Sequence, residues 1–236
     1  MNATEIVQQL KALGQDSYKN ILLKHGAAEP VFGVKIEELK KIQKQVKKNH
    51  QLALDLCDTG IYDAMYLAGL VADDVKMSKA ELEHWVATSR CVMIGEYTVP
   101  WVAAESLHDR ELGLAWIDSA EESVAASGWV ALGGLLSIKD DADLDLPELK
   151  KLLQRVQQTI HQQAPRVRHT MNGFVVAVGS YVQPLTELAL QTAATIGPVA
   201  GADDGGGKAV LSSAADAIAK VQKRGAIGKK RKTTKC

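Results

Sequence analysis

Apolar side chains recur every three to four residues through most of this 236-residue chain and leave little room for β-structure. Residues 35–48 show the pattern well, because their aliphatic side chains fall on one stripe and lysines occupy the other positions. A β-branched run at residues 174–182 is the strongest candidate for a strand, but it lies between helical neighbours and has no hairpin partner. We predict a buried helix there as well, and therefore an all-α protein.

The predicted helices come in pairs that start near residues 35, 78, 120 and 165. Their spacing of roughly 40 residues is typical of HEAT-like arrays of paired helices. We therefore predict a HEAT-like helical-repeat solenoid that forms a single domain over residues 1–223, followed by a basic, flexible tail at residues 224–236. Because no consensus repeat is visible, a compact helical bundle stays open as the alternative fold.

Composition narrows the class of protein further. Hydrophobic residues make up 46% of the sequence, which is enough to bury a core and excludes disorder over most of the chain. Three scattered cysteines exclude a disulfide framework, and charges interrupt the apolar stretches well before the length of a membrane span. Residues 1–25 also lack the apolar centre of a signal peptide. We expect a cytoplasmic monomer with no membrane association, placed at the nucleoid in a bacterium.

The formal net charge of zero conceals an uneven distribution of charge. Residues 220–236 contain eight basic residues and no acidic one, which leaves residues 1–219 with a net charge of −8. A basic end favours an anionic partner, most commonly nucleic acid, and a solvated tail that only aids solubility is the alternative. The tail residues that we expect to contact DNA are Lys229, Lys230, Arg231 and Lys232.

Several common catalytic and binding motifs are missing from the sequence. The six histidines show neither H-x-x-x-H nor H-E-x-x-H spacing and the cysteines form no pair, so we expect no metal and no cofactor. The absence of G-x-S-x-G removes the commonest hydrolase signature. The segment GADDGGGK at residues 201–208 fails the P-loop pattern because alanines occupy positions 202 and 209, and we expect a flexible connector there.

The best candidate for catalysis lies in the segment RCVMIGEYTVPWVAAES at residues 90–106. Glu96 interrupts an apolar helical stretch, and a carboxylate in such surroundings costs free energy unless it is paired, neutralised or used. Tyr97 and Trp101 are four residues apart and so share a helix face, and Pro100 is expected to kink or restart the helix. A structural ion pair between Glu96 and an arginine of a neighbouring helix stays open as the alternative.

Two further groups of basic residues are candidates for phosphate contacts. Arg166 and Arg168 lie with His169 at the start of a helix, where the N-terminal amides favour anions. The lysines of residues 35–48 form the second group. The alternatives are an internal ion pair for the arginines and a merely solvated face for the lysines.

Several longer patterns resemble the DNA alkylation repair proteins of the AlkD-like, HEAT-repeat type. They are VFGVKIEELKKIQK at 31–44, LALDLCDTGIYDAMYLAGLVAD at 52–73, MSKAELEHWV at 77–86, MIGEYTVPWVAAES at 93–106, RVRHTMNGF at 166–174 and GAIGKKRKTTKC at 225–236. The likeness covers about residues 28–185 and the C-terminal end.

The resemblance implies a curved all-α solenoid that holds double-stranded DNA in its concave face. Characterised members of the family hydrolyse the N-glycosidic bond of cationic N3- and N7-alkylated purines without flipping the base into a pocket. An acidic side chain and aromatic faces next to the lesion stabilise the positive charge that develops on the sugar.

The resemblance also implies site residues. The Trp of the family's Trp-x-x-x-Asp site falls on Cys91 or Val92, and its Asp falls on Gly95, or on Glu96 if the register shifts by one residue. We therefore take Glu96 as the catalytic carboxylate. The residues expected to contact DNA or the lesion are Trp101, Tyr97, Trp129, Phe174, Arg166 and Arg168, together with the tail cations.

Three functions remain open from the sequence. The first is a DNA glycosylase for cationic alkylpurines. The second is a non-catalytic HEAT-repeat protein that binds DNA by its shape or its branched structure. The third is a helical scaffold that binds other proteins. DNA binding should weaken steeply as the salt concentration rises, which separates the first two from the third.

Overall fold

The computed structural model describes residues 1–89, 91–202 and 207–235, and the regular secondary structure of these residues is almost entirely helical. Thirteen α-helices lie in these ranges: α1 (Ala3–Leu13), α2 (Asp16–Lys24), α3 (Ile36–Val46), α4 (His50–Asp58), α5 (Tyr62–Val71), α6 (Lys79–Thr88), α7 (Val99–Glu105), α8 (Asp109–Trp116), α9 (Glu122–Ile138), α10 (Leu146–Thr159), α11 (Pro165–Tyr181), α12 (Thr186–Ile196) and α13 (Ala214–Lys223). A π-helical turn at Ile94–Thr98 precedes α7, and one antiparallel hairpin joins β1 (Ala200–Ala202) to β2 (Lys208–Val210). The all-α prediction is confirmed, and the β-branched run at residues 174–182 is helical up to Tyr181.

Local sequence explains where several of these helices begin. Before α6, the Ser78 amide donates to Glu81 Oε2 at 2.8 Å and the Glu81 amide donates to Ser78 Oγ at 3.3 Å, a reciprocal pair that satisfies two free helix donors. The Asp145 carboxylate accepts from the third residue of α10, and Pro147 occupies a position where the helix needs no N–H.

Contacts within the chain divide it into two compact units. Unit 1 contains residues 1–108 and Lys235, and unit 2 contains residues 109–234. The single domain expected over residues 1–223 stays a prediction.

Unit 1 is organised around α5. All ten residues of this helix are buried, and it packs against α3, α4 and the π-helical turn. The carboxylate of Asp63 in its first turn is fully buried and accepts hydrogen bonds from the amides of Phe32 and Val34 at 2.6 and 2.7 Å. Asp63 therefore holds the extended segment before α3 against the central helix.

Unit 2 is organised around the two longest helices, α9 and α11, which pack against each other. Glycines allow α8 to approach α9 closely, because a Cβ atom at Gly128 would lie 2.7 Å from the backbone nitrogen of Ile117. Helices α12 and α13 also pack against α11, and the apolar core of the unit lies between these elements.

Candidate nucleic-acid interface

Glu96 lies in the π-helical turn directly before α7, in unit 1. The Val99 amide donates to the Ile94 carbonyl, a bond between residues five apart that widens the helix at this point. Pro100 follows at the second residue of α7 and has no N–H to continue an α-helical ladder through the turn. The expected disturbance of the helix near Pro100 is therefore present as a π-helical turn, a feature that recurs at functional sites.

The aromatic residues next to Glu96 form a cluster. The rings of Tyr97 and Trp101 lie 6.4 Å apart between centroids, and Trp101 also meets Tyr66 edge to face at 5.6 Å. Tyr97 and Trp101 are half-buried, whereas only 6% of Glu96 is exposed. The structure thus brings together the predicted pair and adds Tyr66, which the sequence did not single out because its stretch reads as plain core. The catalytic role of Glu96 stays a prediction.

Trp129 and Phe174, the other two predicted aromatics, lie in the core of unit 2. Each is 1% exposed, and their rings meet at 5.1 Å between centroids. The guanidinium of Arg155 lies 5.6 Å from the centre of the Trp129 ring. In this conformation neither ring offers a surface to a DNA strand, so the structure supports a packing role for both and leaves their contact with DNA as a prediction.

Arg166 and Arg168 face the backbone of the β-hairpin. Arg166 Nη1 donates to the Ala202 carbonyl at 2.9 Å, and Arg168 Nη1 donates to the Ala200 carbonyl at 3.1 Å. His169 Nδ1 lies 3.0 Å from the same Ala202 carbonyl, so this nitrogen carries the hydrogen. The three side chains at the start of α11 therefore fix the hairpin in place. Their predicted phosphate contacts stay predictions.

The Gly-rich connector expected at residues 201–208 belongs to this hairpin. Gly201 lies in β1, Ala202 is the last residue of that strand, and Lys208 begins β2. Residues 203–206 lie outside the described part of the chain, so the expectation of a flexible connector there stays a prediction.

The segment that carries the C-terminal cations is hydrogen-bonded to unit 2, and the flexibility expected for residues 224–236 stays a prediction. The Gly228 amide donates to the Ser180 carbonyl at 2.9 Å, and the Arg231 amide donates to the Ser137 carbonyl at 2.7 Å. Lys230 is half-buried and forms an ion pair with Asp141 at 2.9 Å. The partners come from residues far away in the chain, which is why the sequence reads only as a basic tail. The exposed cations of this region are Lys220, Lys223, Arg224, Lys229, Arg231 and Lys232.

The lysine face of α3 is partly engaged within unit 1. Lys41 binds Glu38 at 2.6 Å, and this hydrogen bond raises the pKa of Lys41. Burial lowers the pKa of Lys48, but a hydrogen bond and ion pair with Asp74 at 3.0 Å outweigh burial and raise that pKa above its usual value. Both lysines stay protonated at neutral pH, and part of their charge is compensated internally.

Residues 1–89, 91–202 and 207–235 contain neither a cluster of metal-ligating side chains nor a single helix that could span a membrane. In these ranges no three His, Cys, Asp or Glu side chains lie close enough together to hold a metal ion. Over the same ranges, no individual helix has both the length and the apolar character to cross a membrane, and the stretches Pro165–Tyr181 and Gln183–Ile196, which are bent by 116° at their junction, have them only as a pair.

Comparison with known proteins adds to this geometry. The family model described as DNA alkylation repair enzyme matches residues 6–202. Uncharacterized proteins of Listeria innocua and Listeria monocytogenes are each 31% identical to the chain over 197 residues, covering 81% of this chain and 84% of the relative.

A solved structure matches the whole chain. It comes from a family related to the HEAT-like repeat DNA glycosylases that has affinity for branched DNA structures, and it is 35% identical with a TM-score of 0.93 over 100% of both chains. This similarity confirms the predicted HEAT-like fold, and the family model confirms the resemblance found in the sequence. The chain belongs to the DNA alkylation repair enzyme family.

Proposed function

We propose that this protein binds DNA in DNA repair, with branched DNA as its preferred form. The observation that carries the proposal is the set of exposed cations on an ordered segment, here called the C-terminal cation set: Lys220, Lys223, Arg224, Lys229, Arg231 and Lys232. Six exposed cations between residues 220 and 232 suit a polyanion, because each phosphate contact releases a counterion. Family membership supports nucleic acid as that polyanion.

Branched DNA is favoured over a plain duplex for two reasons. A relative with 35% identity over its whole length comes from a family with affinity for branched DNA. In addition, Trp129 and Phe174 are buried, so two of the aromatics expected to line a lesion site have no surface in this conformation. Phosphate contacts position a protein on DNA without reading its sequence, which suits recognition by shape.

Fluorescence anisotropy with labelled DNA tests this proposal. One probe is a three-way junction, and the other is a linear duplex of the same arm sequence. We expect the junction to bind at least about tenfold more tightly than the duplex, and we expect the binding of both to weaken by about a thousandfold between 50 and 200 mM salt if six phosphates are contacted. Equal affinity for the two probes would remove the preference for branched DNA, and no binding of either would overturn the proposal.

The surroundings of Glu96 favour a second function, excision of cationic alkylpurines. A carboxylate with 6% exposure lies in a π-helical turn beside Tyr97 and Trp101, whose rings are half-buried. During hydrolysis, the N-glycosidic bond breaks and the cationic base leaves as a neutral molecule with the bonding electrons, while water adds to C1′ of the sugar and gives up one proton to the Glu96 carboxylate or to solvent. Positive charge on the sugar would be stabilised by the acid and by the aromatic faces.

Release of N7-methylguanine from a duplex, detected by alkaline cleavage at the abasic site, tests this second function. If Glu96 is the catalytic carboxylate, Glu96→Gln lowers release by about a hundredfold or more while DNA affinity is retained. Glu105→Gln, a matched change in the same segment, leaves release unchanged. The absence of release by the wild-type protein would overturn the second function and leave the DNA-binding proposal intact.

A further inference from the structure

Lys230 differs from the basic residues on both sides of it. Its side chain is only 15% exposed, whereas Lys229 and Arg231 are exposed. The Lys230 Nζ atom lies 2.9 Å from Asp141 Oδ1 and donates to the Leu136 carbonyl at 3.0 Å. Lys230 is thus directed into unit 2, whereas Lys229 is exposed and the exposed Arg231 donates from Nη2 to the Thr234 carbonyl at 3.3 Å.

The segment around Lys230 completes the ends of two helices. The carbonyls of Leu136 and Ser137 lie in the last turn of α9, where no further residue of the helix can donate to them. They accept from Lys230 Nζ and from the Arg231 amide instead. A cation at this helix end is also favoured by the helix dipole.

The end of α11 is completed in the same way. The carbonyl of Ser180, in the last turn of that helix, accepts from the Gly228 amide. Gly228 has a φ of +74°, a conformation that side-chain-bearing residues adopt rarely, so glycine suits this turn. Asp141 Oδ2 accepts from the Gln183 amide just beyond α11, which leaves Oδ1 for Lys230.

We propose that Lys230 is a positioning residue that holds Lys229, Arg231 and Lys232 in place as a preformed phosphate-binding edge. This inference rests on the proposed function and adds how the edge is built. A flexible basic tail loses conformational entropy when it binds DNA, and that loss subtracts from affinity. A segment already fixed to the ends of α9 and α11 avoids most of this loss.

The Asp141→Asn variant gives the sharpest test, because the loss of a negative charge and the loss of a positioning contact predict opposite changes in DNA affinity. It removes a negative charge near the edge, so simple electrostatics predicts DNA binding that is unchanged or tighter. It also removes the ion pair with Lys230 but keeps an oxygen for the Gln183 amide. We expect affinity for the three-way junction to fall about fivefold.

Asp143→Asn is the matched control for this experiment. Asp143 lies two residues away, is exposed and loses the same charge when it is changed to Asn. We expect its junction affinity to equal or exceed that of the wild-type protein. An Asp141→Asn affinity equal to or above that of Asp143→Asn would overturn the positioning role.

A second pair of variants keeps the inference testable if Asp141→Asn fails to fold. Lys229→Gln and Lys230→Gln each remove one positive charge from adjacent positions. We expect Lys230→Gln to weaken junction binding about fivefold more than Lys229→Gln, and equal losses would contradict the positioning role. If the wild-type protein binds no DNA, the proposed function fails; if it binds and the paired variants agree with each other, only this inference fails.

Hydrogen exchange tests the attachment of the segment without DNA. The amides of Gly228 and Arg231 donate to helix-end carbonyls, so they should be protected in the wild-type protein. We expect both amides to exchange about tenfold faster in Lys230→Gln than in Lys229→Gln. Exchange at the same rate in the two variants would show that Lys230 does not hold the segment.

Discussion

Asp63 provides the most quantitative test of how unit 1 is held together. Its carboxylate is 0% exposed and accepts hydrogen bonds from the amides of Phe32 and Val34 at 2.6 and 2.7 Å. Replacing Asp63 by Ala removes both acceptors and leaves two amides without partners in or near the core. This substitution therefore measures what the hydrogen bonds of Asp63 contribute to stability, and not the helix propensity of α5.

The expected loss of stability follows from these two hydrogen bonds. A hydrogen bond to a charged group contributes about 1.5–3 kcal/mol, and two give roughly 3–6 kcal/mol. Because Phe32 is half-buried, water can reach its amide in part, and we expect a loss of about 4 kcal/mol for Asp63→Ala. Asp63→Asn keeps one acceptor oxygen and should lose about half as much.

Urea unfolding followed by circular dichroism measures this loss. Asp58→Ala is the matched control, because the Asp58 side chain is 63% exposed and its contact with His84 is a surface pair expected to contribute less than about 1 kcal/mol. In a thermal scan, 4 kcal/mol corresponds to a midpoint lowered by about 10 °C for a chain of this size. A surface substitution shifts the thermal midpoint by about 2 °C or less. An Asp63→Ala midpoint that lies within about 2 °C of the Asp58→Ala midpoint would therefore refute the reasoning.

Three further predictions test other parts of the structure. Gly128→Ala should lower the free energy of unfolding by about 1–3 kcal/mol, because the added Cβ would meet a backbone nitrogen. Gly173→Ala should raise the free energy of unfolding by about 0.5–1 kcal/mol, because a Cβ at this helix position meets nothing within 4 Å. Chemical denaturation of the two variants checks whether the changes have these opposite signs. Phe174→Ala should lower stability by about 3–5 kcal/mol through a core cavity and leave the affinity for DNA unchanged at a temperature where the variant is folded. A loss of affinity of about fivefold or more in anisotropy titrations of the folded variant would identify Phe174 as a DNA contact. Burial raises the pKa of the Cys57 thiol to about 12 and also raises the pKa of the Cys91 thiol. At pH 8, therefore, only about one Cys57 side chain in 10,000 is a thiolate, the form that reacts with iodoacetamide. Peptide mass spectrometry should find both cysteines unmodified by iodoacetamide until denaturant is added.

The helices could be predicted because their signals are local. Apolar spacing within one turn and the reciprocal pair of Ser78 and Glu81 lie within a few residues of each other, so neither depends on the rest of the chain. The contact between Tyr97 and Trp101 could be predicted for the same reason, because the two residues are only four positions apart. The resemblance to the family then added the HEAT-like arrangement, which spacing alone left open.

The roles of other residues depend on contacts that sequence spacing does not contain. An aromatic residue on an apolar helix face reads the same whether it lines a groove or fills a core, and Trp129 and Phe174 fill a core. Arg166 reads as a free cation because the carbonyl that it binds comes 36 residues later in the chain. Lys230 reads as part of a loose tail because its acceptor, the Leu136 carbonyl, lies 94 residues earlier.

The salt dependence of junction binding tests the DNA-binding proposal most directly. A plot of log affinity against log salt has a slope of about −0.9 for each phosphate contacted. We predict a steep slope for the wild-type protein, and a slope that is shallower by about 3 when Lys229, Arg231 and Lys232 are all changed to Gln. Parallel slopes for the two proteins would contradict the account, because the ordered cations at the ends of α9 and α11 would then make no contact with DNA.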